Sequence, residues 1–226
     1  MPEKPDKTQA DIPYSLLEFT ALFKKPIFGA WQVPGNLISA ILDALEPWGY
    51  KLDTAEVKLQ TEKLNDYAIV FRRSSPVTPS QSLALGFGKV VVTAENLDWT
   101  EAEQFIAGQK AALNAIRQAG RAEIQSQHLL LGMHIQLKTK PRKDVTAPLL
   151  NPLAFKLLDG ELKFPGIILL REKSKIVIDA SIAYANGLFV RISRDHAPEA
   201  TLEQLAEVLR KDEEQLFDVL GLEAIP

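Results

Sequence analysis

The chain has no cysteine among its 226 residues, which removes disulfides, a thiolate nucleophile and any Cys-ligated zinc or iron–sulfur centre. It has no apolar run near the length of a membrane span, and its opening, MPEKPDKTQADIP, lacks the basic-then-apolar pattern of a secretory signal. The expectation is a disordered polar leader over 1–13 on a cytoplasmic protein that does not enter a membrane. Also missing are the Gly-x-x-x-x-Gly-Lys-Ser/Thr spacing that cradles a nucleotide phosphate and any ligand set at metal-site spacing, so no cofactor and no metal are expected.

What is present is the make-up of an ordinary globular protein, 46% hydrophobic and 24% charged, with length enough for one large core or two small ones. The net charge of −3 is unevenly spread. Asp195–Pro226 holds nine acidic and two basic residues, a local −7 that leaves +4 for the remainder. The stretch 163–194, with six basic and two acidic residues, is a candidate internal mate for that acidic end.

The apolar periods set out the elements. Leu17, Phe19, Ala21 and Phe23 alternate as in a half-buried strand over 15–28, then Leu37, Ile38, Ile41, Leu42 and Leu45 form a helical stripe stopped by Pro47 and Gly49. Strands are expected in KLDTAEVKLQ, DYAIVFRR and LALGFGKVVVTA, with the loop SSPVTPSQS between the last two. Asp98 and Glu101 open a helix striped by Phe105, Ile106, Ala112, Leu113 and Ile116. A strand then carries Leu129, Leu131, Met133, Ile135 and Leu137 on one face. Asn151, Pro152 and Gly160 bracket a short helix, followed by strands in FPGIILLRE, SKIVIDASIAY and GLFVRIS. Asn186-Gly187 reads as a tight hairpin turn, and Thr201 with Gln204 caps a last helix striped by Leu202, Leu205, Leu209, Leu216, Phe217 and Leu220.

This order predicts an α+β fold with antiparallel sheets and helices on one face, built by internal duplication of a strand-helix-three strands-helix unit. The halves are 14–121 and 122–226, packed as one pseudo-symmetric domain. Residue matching supports this only thinly: a shift of 115 aligns Leu22, Lys25, Pro26, Asn36 and Leu42 with Leu137, Lys140, Pro141, Asn151 and Leu157. KTKPRK, 138–143, reads as the exposed crossover between the halves.

Several motifs fail on their own chemistry. LGFGKVVV, 85–92, resembles part of the RNP1 signature of the RNA recognition motif in Gly86, Phe87, Gly88 and Val90. Leu85 and Lys89 stand where a basic residue and a second stacking ring are needed. TLEQLAEVLRKDEEQLFDVLGLE resembles a helix-turn-helix in Leu202, Leu205, Ala206 and Leu216, but Arg210 replaces the turn glycine. Asp212, Glu213, Glu214 and Asp218 would face phosphates with like charge. Nucleic acid is therefore not an expected partner. His128 and His134 lie roughly 20 Å apart along one polar strand face, too far for a shared ion. Ser193, Asp195 and His196 are of triad type but too close in sequence to converge.

Five arginines near strand ends, Arg72, Arg73, Arg171, Arg191 and Arg194, together with His196, are the candidate ligand-binding residues, since a sheet can gather guanidinium groups around an anion. Trp31, Trp48 and Trp99 are possible linings of such a site. No catalytic residue is assigned. The expected function is a non-catalytic ligand-binding or protein-interaction protein that takes a small anionic ligand or a protein partner, including a second copy through an exposed edge strand. The alternative is an enzyme whose site is assembled from distant residues at the cleft between the halves, with Arg191, Arg194 and His196 its first candidates.

Overall fold

A computed structural model describes residues 7–59, 67–73, 80–96, 102–150 and 166–225. The fold is α+β, with mainly antiparallel strand pairing. Among the described residues no helix is long and apolar enough to cross a membrane. The chain divides into two compact units that interleave along the sequence. Unit 1 takes the residues up to Ser15, Leu131–Arg194 and those from Glu207 on; unit 2 takes Leu16–Leu130 and Asp195–Ala206. The junction expected at 121/122 thus lies within unit 2.

Unit 2 is built from the second part of β1 (Thr8–Phe23), α1 (Pro34–Leu45), β2 (Glu56–Leu59), β3 (Tyr67–Arg73), β4 (Gln81–Gly86), β5 (Lys89–Glu95), α2 (Ala102–Gly120) and the first part of β6 (Ile124–Leu137). The strand order is β2-β3-β4-β5-β1-β6. Alternation fixes the register: Leu83 pairs Val92 and Leu85 pairs Val90, all buried, while Phe19 pairs Val92 and Ala21 pairs Val90 on the next ladder. A slip of one residue would turn each of these outward, so the pattern admits one register. Leu37, Ile41 and Leu45 of α1 are buried, as are Phe105, Ala112, Leu113 and Ile116 of α2, and the two helices pack together. Ile41 and Leu45 are fully excluded from solvent, which stabilises by about 1.5–3 kcal/mol each.

Two expectations in this unit change. LALGFGKVVVTA forms two strands, since Phe87-Gly88 turns the chain between β4 and β5. In KLDTAEVKLQ, Leu52–Thr54 is a 3₁₀ turn and the strand begins only at Glu56. Asp98 and Glu101, and the loop residues 74–79, lie outside the described residues.

Unit 1 comprises the start of β1, the end of β6, α3 (Arg142–Thr146), β7 (Ile167–Arg171), β8 (Ser174–Ala180), most of β9 (Gly187–His196), most of α4 (Leu202–Leu220) and β10 (Leu222–Ala224). Its order is β6-β9-β8-β7, with β10 parallel to β1. Gly221, at φ 63, supplies the left-handed cap that ends α4 and returns the chain, so that Leu222–Ala224 pair with Thr8–Ala10. Residues 8–13, read from sequence as leader, are therefore in a strand. Charged and polar side chains there masked a segment whose backbone is ladder-bonded.

Asn186-Gly187 is not the two-residue turn expected. Six residues, 181–186, connect β8 to β9, and Gly187 is absent from the positive-φ residues. The glycine is required for space instead: a Cβ would meet Tyr184 Cβ at 2.8 Å and Ile135 O at 2.9 Å. Asn186 serves by its amide, which donates to Leu137 O and Lys140 O at 3.2 and 3.1 Å. KTKPRK falls within unit 1, where this amide and the Lys138–Asp11 ion pair fix its first part. The helix expected over 151–160 lies outside the described residues.

Candidate functional site

Of the six sequence-derived residues, Arg72, Arg73 and His196 fall in unit 2 and Arg171, Arg191 and Arg194 in unit 1. Arg72 and Arg73 end β3 in unit 2. Arg72 reaches Glu56 at 3.4 Å and Arg73 reaches Gln81 Oε1 at 3.4 Å. In unit 1, Arg171, Ser174 and Arg194 are aligned across β7, β8 and β9. Arg191, three residues before Arg194, falls on the opposite face because strand side chains alternate. Arg194 lies with the face bearing Leu188, Val190 and Ile192, all fully buried, and grips Asp212 of α4 with two nitrogens. That pair lines a pocket of about 180 Å³ with Arg171 and Ser174. Its strongest cation is thus already neutralised. His196 ends β9, half-buried.

The acidic end of the chain finds its mates in the same way. Asp218 pairs with Lys7, Glu203 with Lys110, Glu207 with Lys211 and Asp195 with His128. Lys110 holds the Glu203 carboxyl below its ordinary range, chiefly by donating a hydrogen bond. These pairs are exposed and worth little each, but they leave α4 a poor acidic docking surface.

The histidines are engaged separately. His128 donates from Nδ1 to Asp195 at 2.8 Å, since a carboxylate only accepts. His134 Nδ1 is 2.8 Å from Ser181 Oγ, within a cluster of Tyr14, Tyr184 and Phe189 rings. Ser181 Oγ also accepts from the N–H groups of Ala183 and Tyr184, both at 3.1 Å. A hydroxyl has two lone pairs and one proton. Both lone pairs serve the turn, so the proton goes to His134 Nδ1, which must be the acceptor. A Ser–His contact of this sort suggests a nucleophile and its base, yet the oxygen's lone pairs are held by the turn and cannot attack. Ser193 donates to Lys175 O, and Asp195 is paired with His128.

One concavity of unit 2 was not anticipated from sequence. It is a cleft of about 620 Å³ bordered by the chain after β1, the start of α1 and the end of α2. Three backbone bonds fix its first wall: Phe23 N–H to Gly88 O, Lys24 N–H to Glu123 O and Ile27 N–H to Phe87 O, at 2.8–2.9 Å. Ile27 and Leu37, nearly fully buried, form its apolar floor with Gly120, where a Cβ would sit 3.4 Å from Ile27 Cδ1. Its polar groups are Lys24, Lys25, Asn36, Arg121 and Glu123. Lys24 pairs with Glu123 at 3.1 Å, both well exposed. Lys25 and Arg121 make no ion pair among the described residues.

Three cations against one carboxylate leave the cleft positive. The N-terminal end of α1 and the C-terminal end of α2 contribute opposite partial charges of about 0.5 and nearly cancel. Arg121 follows α2 at φ 50, a left-handed position usually given to glycine. A side chain there costs about 1–2 kcal/mol, which a cation beside a helix C-terminus offsets by only about 0.3–1 kcal/mol. The position therefore keeps a net strain.

Trp31 and Trp48 pack on neighbours within unit 2. Trp48 packs on Gly108, where a Cβ would come within 2.9 Å of its ring, and Trp31 tilts against Phe87 with centroids 5.0 Å apart. Trp99 is outside the described residues. Near Trp48, Tyr50 receives a hydrogen bond from Gln109 at 3.1 Å; burial pushes its hydroxyl up to about 12, against a smaller lowering by Gln109 and Arg73.

Among the described residues no group of three or more His, Cys, Asp or Glu side chains could hold a metal ion. No protein-family model matches the chain. Nor does any curated protein match it significantly.

Proposed function

We propose that the protein is a non-catalytic binding protein and that the cleft of unit 2 takes a small anion with an apolar body. The cleft itself carries this reading: about 620 Å³, an Ile27–Leu37 floor, and Lys24, Lys25 and Arg121 at its polar side. That size lies within the few hundred to about 1,000 Å³ of small-molecule sites, which join an apolar lining to a few placed polar groups. Guanidinium and ammonium donors recognise carboxylate or phosphate, and the floor matches a short hydrocarbon or ring. The site belongs to one unit, in place of the cleft between halves expected from sequence.

The non-catalytic part of the reading is supported by the lining, which among the described residues contains no histidine, serine or aspartate. Duplication remains part of the proposal. In each set of strands the last of the meander neighbours the long strand that opens it, β5 beside β1 and β9 beside β6. A cytoplasmic setting suits a chain without cysteine.

A thermal-shift comparison of octanoate, octyl phosphate, inorganic phosphate and octanol tests the reading. The two amphiphilic anions are expected to raise the melting temperature and octanol is not, because a ligand at a hundred times its dissociation constant adds about 2.7 kcal/mol. No shift with either anion would remove the proposal.

A further inference from the structure

We infer that β7 is a self-association edge, at which a second copy of this chain pairs antiparallel to add a strand. Among the described residues β7 is the last strand of the order β6-β9-β8-β7, and it pairs only with β8. In such a ladder every second residue turns its N–H and C=O away from the neighbour, here toward solvent. The strand reads IILLR, with no proline, glycine or lysine, and Ile168, Leu169 and Leu170 are 58%, 40% and 71% exposed. Edges normally carry charge or stay very short to prevent pairing. The strand that ends the order of unit 2 carries charge: β2 opens on Glu56.

A second copy fits because the segment is self-complementary. A two-fold axis at Leu169 places Ile168 opposite the other copy's Leu170, Leu169 opposite its own copy and Ile167 opposite Arg171, so three apolar pairs form and no like charges oppose. Other extended chains could reach the same backbone groups, but only an identical strand brings this register to both partners at once. The ladder is short, so the dimer is reversible and concentration-dependent.

The full chain tests this by sedimentation equilibrium over a concentration series, with hydrogen exchange read at both ends of it. A monomer–dimer equilibrium is expected, with amides of 167–171 gaining protection as dimer forms. Ile168→Lys with Leu170→Lys should sediment as monomer with an unchanged melting temperature. Ile182→Lys, altering a 99% exposed side chain outside β7, should dimerise like the parent. The inference is overturned by a chain that stays monomeric at its solubility limit, by a dimer whose 167–171 amides exchange at the monomer rate, or by equal loss of dimer in Ile182→Lys. If the double variant fails to fold, Leu170→N-methyl-leucine, introduced by semisynthesis to remove an N–H that faces away from β8, or the exchange data on the parent chain decide the matter.

Discussion

Ser181 Oγ gives its proton to Nδ1 of His134, 2.8 Å away, while its lone pairs close the turn through Ala183 and Tyr184. The contact makes His134 the Nε2–H tautomer. Nitrogen-15 NMR should find the His134 proton on Nε2, and a proton on Nδ1 would break the assignment. Ser181→Ala leaves two backbone donors and one ring nitrogen without their partner, a loss of about 1–3 kcal/mol by chemical denaturation.

Asp212 anchors α4 to β9 through Arg194, with side chains 11% and 26% exposed. Asp212→Asn keeps the shape and strands a partly buried guanidinium. A fully buried pair would lose about 3–5 kcal/mol, and the residual solvent access lowers the expectation to about 1–3 kcal/mol. Replacing both, Arg194→Met with Asp212→Leu, should recover part of that in a double-mutant cycle. A loss equal to the sum of the singles would show the pair to be uncoupled.

Tyr50 makes unit 2 alkali-sensitive. Its hydroxyl titrates near 12 in the folded chain and near 10.0 when unfolded, because burial opposes the phenolate. Between these values the unfolded state has lost a proton that the folded state retains, so stability is full below pH 10 and falls as pH rises toward 12. The fall attributable to this group is about 2–3 kcal/mol. Tyr50→Phe should flatten that part of the curve in urea titrations at successive pH values. An unchanged slope would locate the sensitivity in another group.

How much of this was legible in the sequence depended on whether a signal was local. Alternation at Leu17, Phe19, Ala21 and Phe23 identified a buried strand face, and Leu37, Ile41 and Leu45 identified a helix, because period and burial coincide there. Phe87-Gly88 was hidden inside a run with uninterrupted strand propensity. The acidic end did find cations of its own chain, but Arg194 alone of the singled-out arginines grips it, since strand alternation sends Arg191 to the other face. Lys25 and Arg121 could not be joined by reading, as only the packing of α1 on α2 brings their segments to one cleft. Arg121 did leave one trace: GRAE puts an arginine just after a helix-ending glycine, where the left-handed position falls.

The cleft is tested most directly by isothermal titration of octanoate or octyl phosphate into the parent chain and into Lys25→Glu with Arg121→Glu. Saturable one-to-one binding is predicted for the parent. Each lost charge-assisted bond is worth about 1.5 kcal/mol, so the double variant should bind at least about a hundredfold more weakly with its fold retained. Equal affinity in the two proteins would contradict the account.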